Sequence, residues 1–282
     1  MTRFPSETAT KPFLRWAGGK TWLVKYLNQI IGSTKFLNYH EPFLGGGSIF
    51  FTITPKGTSY LSDLNKELIE TYQCVKNNPL AIIDTLRTYE NTKEFYYAIR
   101  DHIPINSVEQ AARFIFLNQT SFNGLYRVNQ HGVYNVPFGY RTKNFIEESK
   151  LLAASECLQK ATLMHGDFTC NSQNIKEGDL VFLDPPYTVS HNNNGFIKYN
   201  QKLFSLDDQK RLSQFIDYIK NQGAYYILTN AAHQTILELF EKGDTRLELF
   251  RASLISGDST KREKVSEYIF TNIPGGQIDG RY

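Results

Sequence analysis

The chain has 282 residues, 41% of them hydrophobic, and 31 Lys and Arg stand against 28 Asp and Glu for a formal charge of +3. That length predicts one large domain, or one domain with a sizeable insertion, and the apolar content excludes global disorder. Residues 1–10 lack the apolar stretch of a secretory signal, and no run approaches the roughly 18 apolar residues of a membrane helix. Cys74, Cys157 and Cys170 fit neither a disulfide framework nor zinc-ligand spacing. The expectation is a cytoplasmic protein with reduced thiols, no metal and no membrane association. A charge of +3 permits a nucleic-acid partner without requiring one, because basic residues can be confined to one face.

Residues 36–43 read as a strand that runs into Gly45-Gly46-Gly47 and a helix from Ser48. A second strand, residues 59–61, ends at Asp63 and gives way to a helical pattern through Leu68, Ile69, Tyr72 and Val75. Strand alternation then stops until residues 161–164. Between lie helical patterns over residues 80–89, 94–100 and 108–117, then a polar and aromatic loop over 120–144. Roughly 85 residues of this kind predict an inserted subdomain, the expected seat of substrate specificity.

The run Leu180-Val181-Phe182-Leu183 reads as a strand buried on both faces and ends at Asp184-Pro185-Pro186-Tyr187. Ser205 and Asp208 predict a capping box for a helix through Leu212, Phe215, Ile216 and Ile219, stopped by Gly223. Residues 225–228 follow as a strand and 235–240 as a helix. Residues 245–250 and 265–270 read as two final strands around a basic loop with Lys261, Arg262 and Lys264. Alternating strands and helices predict an α/β sheet with parallel strands.

Open α/β sheets bind ligands at the carboxyl ends of their strands, which is where Asp184-Pro185-Pro186-Tyr187 falls. Two prolines fix φ and remove N–H groups, leaving the Pro185 carbonyl to face the crevice. A carboxylate, a carbonyl and an aromatic ring so close together suit the exocyclic amine of a planar base; a proline-terminated strand with an Asp turn is the competing reading. The turn Phe43-Leu44-Gly45-Gly46-Gly47 allows close backbone approach to a ligand. It is no dinucleotide fingerprint, since the last glycine of G-x-G-x-x-G would fall on Phe50. Asp63, at the end of the next strand, is placed to take both hydroxyls of a ribose, or else caps a helix.

Gly18-Gly19-Lys20-Thr21 imitates the end of a phosphate-binding loop, but the first glycine would have to be Leu14. Lys20 and Trp16 remain available to a flat, anionic ligand, with core packing as the alternative for Trp16. Gly166-Asp167-Phe168 ends a strand and offers an acceptor and a ring to an adenine. In the insertion, Asn118, Phe122-Asn123-Gly124-Leu125-Tyr126-Arg127 and Asn135-Val136-Pro137-Phe138-Gly139-Tyr140-Arg141 suit base-edge and methyl contacts in a major groove. Phe122 suits a wedge into an opened stack. An ordinary hairpin turning at His131-Gly132 explains the same residues.

In this order, the blocks resemble the Dam-type (α-group, D12 class) DNA adenine-N6 methyltransferases. The match runs from residues 13–20 through 41–48, Asp63-Leu64-Asn65, 122–127, 135–139 and 166–168 to Asp184-Pro185-Pro186-Tyr187. The resemblance implies a Rossmann-like α/β methyltransferase sheet with an inserted, mainly helical DNA-recognition subdomain. The catalytic domain would span residues 11–75 and 161–272, the insertion 76–160, with tails at 1–10 and 273–282. S-adenosylmethionine is the implied methyl donor, held by Trp16, Lys20, Phe43, Gly45, Asp63, Asp167 and Phe168, with Asp184 at the junction with the target site. A flipped adenine would enter a pocket of Asp184, Pro185, Pro186 and Tyr187, and its amine would attack the methyl directly.

DNA contacts carry over to Arg15, Phe122, Asn123, Leu125, Arg127, Pro137, Tyr140 and Arg141. Matches at Arg15, Leu125, Arg127 and Pro137 point to GATC as the site. One departure stands out: many relatives follow N-V-P-F-G with Arg-Tyr, and here Tyr140-Arg141 reverses the pair. Double-stranded DNA is the expected partner, and a monomer suffices for one active site per chain. A cognate restriction endonuclease, if one exists, would act on the same site without direct binding. Cytosine N4, an RNA adenine and a glutamine amide present the same planar amine, and a non-catalytic DNA-binding module would keep the same fold.

Overall fold

Four consecutive apolar residues, Leu180–Leu183, leave no side chain exposed, as in a strand covered on both faces, and strands pair with them on both sides. In the computed structural model, which describes residues 10–53, 55–187, 204–252 and 264–275, this is strand β4. The others are β1 (Tyr39–Glu41), β2 (Ser59–Asp63), β3 (Ala161–His165), β5 (Tyr225–Ala231), β6 (Thr245–Ala252) and β7 (Lys264–Thr271). They form one seven-stranded mixed sheet in the order β3-β2-β1-β4-β5-β7-β6. Alternation with helices makes this the expected Rossmann-like α/β sheet.

The expectation of parallel strands holds for β1·β4, β4·β5 and β2·β3 and fails at one edge. There β7 lies between β5 and β6 and runs antiparallel to both. No helix is predicted between the last two strands, and strands without a crossover helix pair antiparallel. Lys261 and Arg262 of the predicted basic loop lie outside the described residues. The first strand is shorter than its sequence pattern, three residues in place of eight. Among the described residues, no helix is long and apolar enough to cross a membrane.

The chain divides into two compact units. One holds Trp22–Phe43 and the described residues from Asn171 on, with helices α1 (Val24–Ile31), α8 (Leu206–Asn221) and α9 (Gln234–Phe240). The α8 start is the predicted capping box: Ser205 Oγ accepts from the Asp208 N–H, and Asp208 accepts from the Ser205 N–H. The second unit holds the described residues up to Thr21 and Leu44–Cys170. It contains α2 (Ser48–Ile53), α3 (Lys66–Asn77) and, between β2 and β3, α4 (Pro79–Arg87), α5 (Lys93–Asp101), α6 (Ser107–Thr120) and α7 (Glu148–Leu158).

Pro79 opens α4, where its missing N–H costs nothing. Asn106 caps α6 by accepting from the Glu109 N–H. An aromatic cluster of Tyr89, Phe95, Tyr96, Phe116, Phe138 and Phe145 joins α5, α6 and the loop beyond. Much of the aromatic content of residues 76–160 is therefore core.

Candidate active site

Within the first unit, strand order reverses between β1 and β4, so the carboxyl ends of these two strands flank the ligand-binding position of an open sheet. Asp184 is the first residue beyond β4. Its Oδ1 accepts a 2.8 Å hydrogen bond from Thr229 Oγ1 of β5, and Thr229 has no exposed surface. The register explains the match: Leu183 lies opposite Leu228, so the next residue of each chain reaches the same level. Pro185 is buried, Pro186 half-buried, and the half-buried Tyr187 donates its hydroxyl to Glu267 Oε2 on β7. Phe43, after β1, sets its ring edge-on to Phe204 at 5.7 Å.

Within the second unit, Gly45 sits at φ +47°, and a Cβ there would lie 2.8 Å from the Trp16 ring. Only glycine lets the backbone pass so near the indole. Asp63 organises this turn. Its Oδ2 accepts from the Gly45 N–H at 2.9 Å and its Oδ1 from the Asn65 N–H at 2.9 Å. A carboxylate offers about four lone-pair directions, so these two bonds do not exhaust it. The remaining acceptor capacity fits the paired hydroxyls of a ribose. Burial pushes the Asp63 carboxyl above the usual carboxylate range, and N–H donors from Asn65, Gly45 and Leu64 pull against that.

Gly166-Asp167-Phe168 lies beside this turn, because the Gly166 N–H donates to the Asp63 carbonyl at 3.1 Å. Asp167 Oδ1 accepts from the Thr169 N–H and hydroxyl, and Phe168 is buried. Trp16 stacks on Tyr126 at 5.8 Å, and Tyr126 donates to Glu67 Oε2. Lys20 is buried and bonds the Gly18 carbonyl at 3.0 Å.

The candidate recognition residues separate by direction. Phe122, Asn123, Arg127, Pro137 and Tyr140 are exposed. Phe122 and Pro137 are held together by a backbone hydrogen bond of 2.9 Å, and Tyr134 fixes the Leu125 carbonyl at 2.9 Å. Arg15 and Arg141 instead turn toward the end of α6. Arg15 Nη1 bonds the Gln119 carbonyl at 3.3 Å, and Arg141 Nη1 bonds Gln119 Oε1 at 3.1 Å. Burial, then the charge of Arg141, lowers the Arg15 pKa. Asn118 is buried and clasps the Arg15 backbone, accepting from its N–H and donating to its carbonyl. The reversed pair therefore presents Tyr140, 69% exposed, and turns the half-buried Arg141 toward Gln119.

The loop turns at His131-Gly132, as the hairpin reading expects, with the Asn129 N–H on the Val133 carbonyl at 2.8 Å and the Asn135 N–H on the Arg127 carbonyl at 3.1 Å, but without continuous strands. It holds two isolated bridges, Ser121 to Phe138 and Val128 to Tyr134. Thr229 and Glu267 escaped the sequence reading because their partners lie 45 and 80 residues away. The available signal was parity, which puts Glu267 on the strand face of Ile269, where an apolar residue is expected.

A family model described as D12 class N6 adenine-specific DNA methyltransferase matches residues 16–259. The chain is similar to a type II methyltransferase of Lactococcus lactis subsp. cremoris, 33% identical over 93% of this chain and 95% of that protein. A type II methyltransferase of Methanocaldococcus jannaschii is 35% identical over 78% and 84%. A DNA adenine methylase of Escherichia coli is 29% identical over 94% and 96%.

Proposed function

The chain belongs to the D12 class of N6 adenine-specific DNA methyltransferases, and from that premise we propose that it methylates the adenine of GATC in duplex DNA after flipping it from the stack. The observation that carries the reading is the carboxylate of Asp184, one residue past a buried strand and oriented by Thr229. An aromatic amine is a poor nucleophile because its lone pair is delocalised into the ring. Asp184 and the Pro185 carbonyl accept its N–H hydrogens, which favours a pyramidal nitrogen and aims the lone pair, while the Tyr187 ring stacks on the base. Positioning and electrostatics then supply most of the rate.

S-adenosylmethionine, when bound, supplies an electrophilic sulfonium methyl. Asp63 takes the ribose hydroxyls, the Gly45 turn gives the backbone approach, and Trp16, Lys20, Phe43, Asp167 and Phe168 complete the contacts. Residues 76–160 act as the recognition insertion, and 11–75 with 161–272 as the catalytic domain. Exposed Phe122, Asn123, Arg127, Pro137 and Tyr140 support a DNA face there, with Leu125, Arg15 and Arg141 behind it. The enzyme works as a monomer in the cytoplasm, and a restriction endonuclease sharing its site would need no contact with it.

Labelled methyl transfer to a panel of duplexes tests this reading. GATC duplexes are expected to be labelled on adenine, and duplexes with one changed position, single strands and RNA to be labelled at least about tenfold more slowly, one good base contact being worth about 1–3 kcal/mol. Asp184→Ala is expected to lose transfer and keep cofactor binding. Turnover of that variant within tenfold of the parent would remove the assigned role. Equal labelling of altered duplexes would remove GATC.

A further inference from the structure

We propose that Glu267 is a positioning residue for target capture: its buried carboxylate holds Tyr187 in the orientation in which the ring receives the flipped adenine. This rests on the reading of Tyr187 as the stacking residue. Glu267 has no exposed surface and sits on β7, where strands pair on both sides, opposite Ala231 on β5 and Leu249 on β6. Its backbone is therefore fixed from two directions. A carboxylate at such a position is costly to bury unless hydrogen-bonded, and an apolar residue of similar volume is often neutral or stabilising there. Packing alone gives no reason for glutamate.

The Tyr187 hydroxyl supplies one. That hydroxyl lies on the axis of ring rotation, so a bond to it restrains the swing of the whole ring about χ1. Pro186, whose φ is fixed, narrows the course of the chain that enters Tyr187.

The sheet places this tether beside the carboxylate that handles the amine. Thr229 faces Ile269, and Ala231 faces Glu267, so Thr229 and Glu267 share one face of the sheet two positions apart. Thr229 holds Asp184, and Glu267 holds Tyr187. Neighbouring strands β5 and β7 therefore set both side chains that meet the base.

The test is a double-mutant cycle in the full-length enzyme, with kcat, KM for a GATC duplex and Kd for S-adenosylmethionine measured for each variant. Glu267→Ala and Tyr187→Phe are each expected to lower kcat by about ten- to a hundredfold, the scale of a small misplacement, with cofactor Kd within about twofold. The double variant is expected to be no slower than either single one, since both break the same bond. Glu267→Gln, which keeps an acceptor oxygen, is expected to recover most of the rate. Additive losses, or parental kcat in Tyr187→Phe, would overturn the proposal. Tyr187→Phe removes one oxygen, so the test survives a Glu267→Ala chain that fails to fold. Parental kcat and KM in Tyr187→Ala would instead remove the stacking reading itself.

Discussion

Asp63 is held between burial and backbone. Its carboxyl is raised above the ordinary value of 3.8 by desolvation, against the pull of its N–H donors. With a folded pKa above the unfolded one, the folded protein binds the proton more tightly. The group's contribution to stability is then present below the unfolded value and is lost as pH rises through the raised folded value. On the proposed reading of Asp63 as the ribose acceptor, ligand binding runs the other way, because the ionised carboxylate accepts from both hydroxyls and the protonated one does not. Affinity for S-adenosylmethionine is expected to rise with pH through that raised value, and Asp63→Asn to flatten the profile and weaken binding about tenfold or more, the range for a hydrogen bond to a charged group. Calorimetric titration across the acid range checks this; an unchanged profile in the variant would detach Asp63 from the cofactor. Asp63 and Asp184 were legible in the sequence because each ends a recognisable strand. Thr229 and Glu267 were not, because their bonds to Asp184 and Tyr187 depend on the β4·β5 and β5·β7 registers, which no local pattern encodes.

At the scale of elements, the start of α8 and the bridged insertion loop make separate demands. Ser205→Ala removes the acceptor for the Asp208 N–H and is expected to lower stability by about 1 kcal/mol, read as a lower Tm. Backbone and side-chain bonds from Ser205 hold the Asp208 carboxyl below its usual range, with Arg211 adding to them. That contribution is present above the unfolded value and is lost as pH falls through the lower folded one. Asp208→Asn is accordingly expected to cost stability at neutral pH and to lessen its decline in acid. In the loop, a Cβ on Gly139 would meet the Ser121 carbonyl oxygen at 2.4 Å. Gly139→Ala must therefore part Phe138 from Ser121 and disturb the exposed Phe122 and Tyr140. DNA affinity is expected to fall while cofactor affinity holds, and gel-shift and calorimetric measurements separate the two. The capping box could be read from Ser205 and Asp208 alone. The loop could not, since alternation over residues 134–138 fits a continuous hairpin equally well, whereas contacts with the end of α6, Asn118 to the Gly124 carbonyl at 3.4 Å and Arg141 to Gln119 at 3.1 Å, come from outside that pattern.

At the scale of the molecule, alternating strands and helices predict the sheet, and the long gap between β2 and β3 predicts the insertion. The antiparallel β7 was less visible, although the sequence predicts no helix between the last two strands, and strands without a crossover helix pair antiparallel. A charge of +3 decided nothing by itself; what matters is that the loop over residues 120–144 exposes Arg127, Phe122 and Tyr140, while the half-buried Arg15 and Arg141 turn toward the end of α6. The claim that joins these scales is sequence-directed adenine methylation dependent on Asp184. It is tested most directly by mapping N6-methyladenine in the DNA of a methylation-deficient host that expresses the chain, with Asp184→Ala as the control. Methylated adenine at every GATC, absent from the control, is the expected result. Methylation at another motif would keep the chemistry and assign the difference to the Tyr140-Arg141 segment. A folded, cofactor-binding chain that leaves no methylated adenine in the host DNA would contradict the account.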